Sequence, residues 1–232
     1  GPRLVSIPFL RDDKLPPAEV ETIAPGLRRV LCGNPGPFTW RGTNTYIIGQ
    51  GRGVAVLDPG PVDAAHLAAI LRATEGERIT HILISHTHRD HSPGAAALKA
   101  ATGAVTYGYG PHQTPPEQGG EGGDHDFVPD VELEDGAVVH SDGWSVTALH
   151  TPGHCANHLC FALEMAGTEG VLFSADHVMS WSTSVVSPPD GDMAAYMRSL
   201  ARLAAREDRL YLPGHGAPLP DPAPFVAALA AH

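Results

Sequence analysis

Cysteine is scarce. Three residues, Cys32, Cys155 and Cys160, are spread over 232 positions with no C-x-x-C pair. That excludes a disulfide-stapled scaffold and makes a reducing cytoplasm the expected compartment. No apolar run approaches the roughly 18–20 residues that span a bilayer, so no membrane is expected as a partner. The start lacks a basic-then-apolar signal pattern, and Gly1-Pro2 is compatible with a protease scar. No internal repeat is visible. Basic residues are also few, 15 Lys and Arg against 26 Asp and Glu, for a net charge of −11. Bulk electrostatics therefore argue against a general binder of nucleic acid or anionic membrane. A bound pair of divalent cations would offset about four of those charges locally. With 42% hydrophobic residues, the chain is long enough to bury a sizeable core, and residues 1–232 are expected to form a single domain.

Histidine is abundant, with 14 residues, and its placement follows the expected elements. Residues 1–26 read as an irregular leader with an edge strand around Leu4–Ile7. Leu27–Cys32 reads as a strand. Thr45–Gly49 and Gly53–Asp58 read as a hairpin, and Val62–Thr74 as a helix with Asp63 near its start. Thr80–Ser85 is an apolar strand and His91–Thr102 a helix closed by Gly103. Ala104–Tyr107 is a strand. Residues 108–130 are rich in Gly, Pro and acidic residues and read as a long surface loop, mobile in the free protein, serving as a tolerated insertion or a lid. Ala137–His140 and Trp144–His150 flank the turn Ser141-Asp142-Gly143. His158–Leu163, Gly170–Ala175 and Leu210–Leu212 are further strands; Asp192–Arg206 and Asp221–Ala231 are helices. Strand-rich order with interspersed helices points to an α+β, αββα sandwich: two mixed sheets with helices on the outer faces.

The strand Thr80–Ser85 runs into His86-Thr87-His88-Arg89-Asp90-His91, three histidines and an aspartate in six residues. His86 and His88, two apart, point to one side of extended backbone. Imidazole nitrogen and carboxylate oxygen are ligands suited to zinc. Three other segments repeat the pattern of a strand ending at a ligand type: His154 after Leu149-His150-Thr151-Pro152-Gly153, Asp176 after Val171–Ala175, and His215 after Leu210-Tyr211-Leu212-Pro213-Gly214. Adjacent strands ending at one edge would make these residues converge.

The hexapeptide resembles the H-x-H-x-D-H signature of the metallo-β-lactamase-fold superfamily, and His154, Asp176 and His215 follow in that family's order. Leu57-Asp58-Pro59-Gly60 resembles a further family motif. The resemblance covers about residues 27–220. It implies two divalent ions, with zinc favoured and iron or manganese also fitting. His86, His88 and His154 would bind the first, Asp90, His91 and His215 the second, and Asp176 would bridge them. It implies a hydrolase in which a metal-bridging hydroxide attacks an ester-, thioester- or phosphodiester-type bond, with Asp90 and Asp176 as catalytic carboxylates. Asp58 would orient a ligand histidine. Cys155, Cys160 and His81 read as packing residues, and His150 and His158 as structural neighbours of the ligands. His66, His112, His125, His140 and His232 read as solvated.

Asn34-Pro35-Gly36-Pro37-Phe38-Thr39 with Gly42-Thr43-Asn44-Thr45-Tyr46, and the stretch from Asp176 to Thr183, resemble the lactamase-β-like protein 2 branch. The bridging aspartate is also similar to glyoxalase II. The substrate classes so implied are a small-molecule ester or thioester, or single-stranded RNA as for an endoribonuclease of that branch, with β-lactamase-like activity or a non-catalytic metal scaffold as remote alternatives. That branch continues past the last metal histidine into a basic helix and a winged-helix-like module. Here the chain stops at Ala230-Ala231-His232, in the middle of that helix, so either the sequence is cut short or this member lacks the module. Asn44, Thr45, His177 and Trp181-Ser182-Thr183 are candidate substrate contacts, and Val185–Pro189 a wall of the cleft. Nothing in the pattern sets the oligomeric state.

Overall fold

The computed structural model describes residues 6–118 and 122–232. The elements are β1 (Val20–Ala24), β2 (Leu27–Leu31), β3 (Asn44–Ile48), β4 (Val54–Leu57), α1 (Ala64–Ala73), β5 (Ile79–Leu83), α2 (Ala95–Thr102), β6 (Val105–Gly108) and β7 (Val131–Glu132). They are followed by β8 (Val138–Ser141), β9 (Trp144–His150), β10 (Leu159–Met165), β11 (Val171–Ala175), α3 (Met193–Ala204), β12 (Leu210–Pro213), β13 (Leu219–Pro220) and α4 (Ala223–Ala230). A seven-stranded sheet has the order β1 to β7, antiparallel as far as β4 and parallel beyond it. A six-stranded sheet has the order β13-β12-β11-β10-β9-β8, with only β11 and β12 parallel.

The sheets pack face to face. Tyr46, Ile48, Leu57 and Leu83 point inward to meet Val146, Phe161, Phe173 and Leu212. Their neighbours along the same strands point outward, as period-2 alternation demands. Ile47, Val56 and Ile82 pack under α1 and α2 against Ile70 and Leu98. Leu149, Leu172 and Tyr211 pack under α3 and α4 against Leu200, Leu203 and Phe225. Both faces of each sheet are covered, so the central strands read as continuous apolar runs. This is the expected αββα sandwich. Among the described residues no helix is long and apolar enough to cross a membrane.

Three expectations need correction. The leader contains a regular strand, β1, and Asp13, whose carboxylate forms a two-pronged ion pair with the buried Arg29. Part of the expected edge strand at 4–7 lies outside the described residues, and Ser6 and Ile7 are not in a strand. The helix expected from His91 begins only at Ala95, because Pro93 and Gly94 keep residues 91–94 in turns. In the 108–130 segment, of which 119–121 lie outside the described residues, the described residues dock on the body of the protein. Arg89 N–H donates to Gly122 O, Asp124 N–H donates to Thr87 O, and Ser92 Oγ donates to Asp124 Oδ2 at 2.6 Å. Phe127 is buried in the core beneath α2. The segment's polar composition hides these anchors.

Topology explains the convergence. β4 and β5 run parallel, so Asp58 and the histidine loop emerge at one edge. β9 and β11 are each antiparallel to β10, and β11 is parallel to β12, so His154, Asp176 and His215 all follow strands that end at one edge of the second sheet.

Candidate metal centre

At that edge the side chains form two groups, His86, His88 and His154, and Asp90, His91, Asp176 and His215. Within each group the ligand atoms lie within 4.8 Å of one another. Asp176 Oδ2 stands between them, 3.1 Å from His91 Nε2, 3.4 Å from both His154 Nε2 and His215 Nε2, and 3.6 Å from His86 Nε2. Asp90 Oδ2 is 3.0 Å from His215 Nε2 and 3.5 Å from His91 Nε2. His88 Nδ1 faces His154 Nε2 at 3.1 Å, and His91 Nε2 faces His215 Nε2 at 3.2 Å.

The outward ring nitrogens define the tautomers. His91 Nδ1 lies 2.8 Å from the Asp58 carboxylate, His215 Nδ1 lies 3.1 Å from Gly42 O, and His154 Nδ1 lies 2.5 Å from Val185 O. Each acceptor requires a proton on Nδ1 and leaves the Nε2 lone pair facing inward. His86 is fixed through a relay. Ser85 Oγ donates to Asp58 Oδ2 at 2.5 Å, so the same hydroxyl oxygen accepts from His86 Nδ1 at 2.8 Å. His86 Nε2 and Asp176 Oδ1 are buried and have no hydrogen-bond partner. Buried polar atoms without partners are costly. Lone pairs directed at a common point match what a divalent cation accepts, so the donor set fits such an ion.

Charge balance points the same way. Burial by itself would lower His91 and His215, but the carboxylates of Asp176 and Asp90 outweigh it and hold both above the usual histidine range, His215 at about 10. Burial pushes His86 down, and burial with the facing His154 pushes His88 down to about 3. Burial would raise Asp90 and Asp176, yet His91 and His215 hold both below the usual carboxylate range. The imidazoles and carboxylates thus offset one another's charge within the cluster.

The backbone around the cluster is strained or crowded. Asp58 (φ 54°) and Ala175 (φ 47°) occupy the left-handed region, which costs of order 1–3 kcal/mol for a residue that is not glycine. Gly214 is required, because an added Cβ would overlap the Asp176 carboxylate and lie 2.8 Å from the His91 ring.

A family model described as the metallo-beta-lactamase superfamily matches residues 38–215. The chain belongs to that superfamily. Within it, the chain is 35% identical over 211 residues to "Atrochrysone carboxyl ACP thioesterase AgnL7" of Paecilomyces divaricatus, covering 90% of this chain and 61% of that protein. It is 34% identical over 208 residues to "Lactamase-like protein adaB" of Aspergillus niger, covering 88% and 59%. The chain thus spans about three fifths of the length of these curated relatives. Solved structures of a metallo-beta-lactamase family protein from Thermus thermophilus (TM-score 0.75, 23% identity, 91% of this chain and 80% of that one) and of a beta-lactamase domain protein from Burkholderia ambifaria (TM-score 0.76, 24%, 97% and 78%) share the fold. The expected placement in an endoribonuclease or glyoxalase II branch gives way to relatives named as acyl carrier protein thioesterases.

A cavity of 490 Å³ opens above the cluster, lined by His88, Asp90, His154 and Asp176, with Phe38, Met179 and Val185 as apolar walls. The expected wall segment contributes Val185 and Ser187. Several expected contacts lie elsewhere. Asn44 is fully buried and donates to Pro213 O and Gly216 O, fastening the His215 turn. Thr45 donates to Asp58 O. His177 is fully buried against Tyr196 with both ring nitrogens unpartnered. Trp181 stacks on Trp40. Two histidines expected in solvent are not there: His66 is buried beside Thr45, and His112 lines the cavity. His158 packs as expected, with Nδ1 on Thr151 and Nε2 accepting from Asp176 N–H. Sequence reasoning misses Ser85, His112, and Asn157, whose amide donates to Thr87 Oγ1 in the histidine loop and to Gly110 O. Ser85, next to the first ligand, is open to a hydrogen-bond argument; the other two depend on loop docking.

Proposed function

We propose that this chain is a dinuclear metal-dependent hydrolase of acyl thioesters. The carrying observation is the Asp176 carboxylate placed between two groups of inward-facing ligand nitrogens. In this reading His86, His88 and His154 hold one divalent ion, Asp90, His91 and His215 hold the other, and Asp176 bridges them. Such a pair, when bound, supplies an acidified water and a positive centre for a carbonyl oxygen. The protein's own groups do the rest. Asp58 keeps His91, and through Ser85 also His86, in the tautomer that presents Nε2. Asp90, with its side chain 26% exposed towards the cavity, is the carboxylate placed to take the proton given up by the attacking water and hand it to the departing thiolate. Phe38, Met179 and Val185 exclude water from one side and suit an apolar acyl group. The thioester class is supported by the relatives' names and by the apolar walls of the cavity.

The test is a panel of an acyl-N-acetylcysteamine, an S-acyl glutathione, a β-lactam and a single-stranded RNA, offered to protein loaded with zinc, iron or manganese. Thioester hydrolysis lost on chelation is expected, with two ions per chain. Fully loaded protein that turns over neither thioester would reject the reading.

A further inference from the structure

Arg89 sits between two ligands in sequence and lines the cavity mouth. Of the lining residues it alone carries a permanent positive charge. Its guanidinium is held at one point, Nε donating to Gly123 O at 3.4 Å. Among the described residues no carboxylate forms an ion pair with it, whereas Arg28, Arg202 and Arg206 each have one such partner and Arg29 has two. Its two terminal NH2 groups stay available as a planar fork, the geometry that matches a carboxylate. Asp190 also lines the mouth, and Asp90 and Asp176 stand among the groups that would hold the metal ions, so Arg89 is the one fixed cation that the chain itself offers there to an anionic group on a substrate.

Position limits the ligand. Arg89 lines the same cavity as its neighbours His88 and Asp90, whose Cα atoms lie about 3.8 Å from its own, and its guanidinium reaches no further than one extended side chain. The phosphate of a pantetheine arm is a whole arm away from its thioester sulfur and falls beyond that reach. A carboxylate a few bonds from the scissile carbonyl falls within it. Resting on the thioester reading above, we infer that Arg89 selects thioesters carrying a carboxylate close to the reacting carbonyl, in the acyl part or in a short thiol part.

The experiment compares valeryl-N-acetylcysteamine, glutaryl-N-acetylcysteamine and S-valeryl glutathione on metal-loaded protein. The wild type should favour one of the charged substrates by roughly five- to tenfold in kcat/KM, the difference arising in KM. Preference for the glutaryl compound locates the carboxylate in the acyl part, and preference for the glutathione compound locates it in the thiol part. Arg89→Gln should bring the ratio to about one, Arg89→Lys should restore part of it, and Arg89→Glu should reverse it. A wild type without preference, or a preference that survives Arg89→Gln, overturns the inference. Should no thioester be hydrolysed, calorimetric titration with glutarate and glutaramide still reads the site. Glutarate should then bind Arg89→Gln several-fold more weakly than wild type, and equal binding refutes the role of Arg89 independently of the reaction.

Discussion

In the layer that supports the cavity floor, Asp58, Ser85, His86 and His91 are each 2% exposed or less, and the ring nitrogens of both histidines that face away from the cluster have partners. At the rim, Phe38 is 69% exposed and the Arg89 side chain is held by one long hydrogen bond. The floor is over-determined. Asp58 alone accepts from Ser85 N, from Ser85 Oγ and from His91 Nδ1. The rim is adjustable, built from side chains whose positions few contacts fix. Reaction type therefore resides where packing forbids variation, and substrate choice where it does not.

Removing the floor's central carboxylate should have the largest effect. Asp176→Ala is expected to lower thioester turnover about a thousandfold or more, with near-normal circular dichroism and loss of bound metal measured by elemental analysis. A retained metal pair and rate would show that the floor is less constrained than its contacts suggest. Next comes the anchorage beneath it. Arg29, 1% exposed, is held by Asp13 and Glu21 and donates to Gly216 O beside the His215 turn. Asp13→Ala should cost about 3–5 kcal/mol at neutral pH, because it leaves a buried guanidinium short of a partner. Burial would raise the Asp13 carboxyl, but the Arg29 hydrogen bond and charge hold it below its ordinary 3.8. Its contribution is thus complete above about pH 4 and lost as pH falls through the depressed value. Denaturation midpoints of the wild type and the variant should converge in acid; a gap independent of pH would exclude the ion pair as the cause.

Asp58→Asn tests orientation without removing a ligand. Loss of its second acceptor oxygen should weaken metal affinity or turnover by about 10- to 100-fold, read by chelator competition. An unchanged affinity would mean that Ser85 and the strand end suffice. Smallest is Phe38→Ala at the rim. Stability should change by less than about 0.5 kcal/mol, while KM for an apolar acyl thioester should rise roughly threefold. A melting temperature that falls as KM rises would place Phe38 in the rigid part of the molecule.

Much of this division is legible in one dimension. Apolar runs bounded by turn residues mark nearly every central strand, and the ligand candidates stand where those runs stop. The role of Asp58 beside a ligand histidine follows from its motif. What is not legible shares one cause. Asn44, Thr45, His177 and Trp181 border the right motifs, but a bordering residue points into the cavity or into the core according to loop paths that no local pattern encodes. The places of His66 and His112 are hidden for the same reason. The 108–130 segment misleads through composition: its Gly and Pro content reads as solvent-exposed chain, yet Asp124 and Phe127 pin it to the ligand loop and the core.

The amino-acid order, read with its resemblance to the superfamily, was enough for the sandwich and the seven candidate ligands, because apolar runs and ligand chemistry are local properties. Only the tertiary structure decided which nitrogen of each histidine faces inward, which polar neighbours are fastenings, and which cation guards the mouth. Those depend on backbone carbonyls and carboxylates brought in from distant parts of the chain, such as Gly42 and Val185, whose side chains carry no trace of the contact.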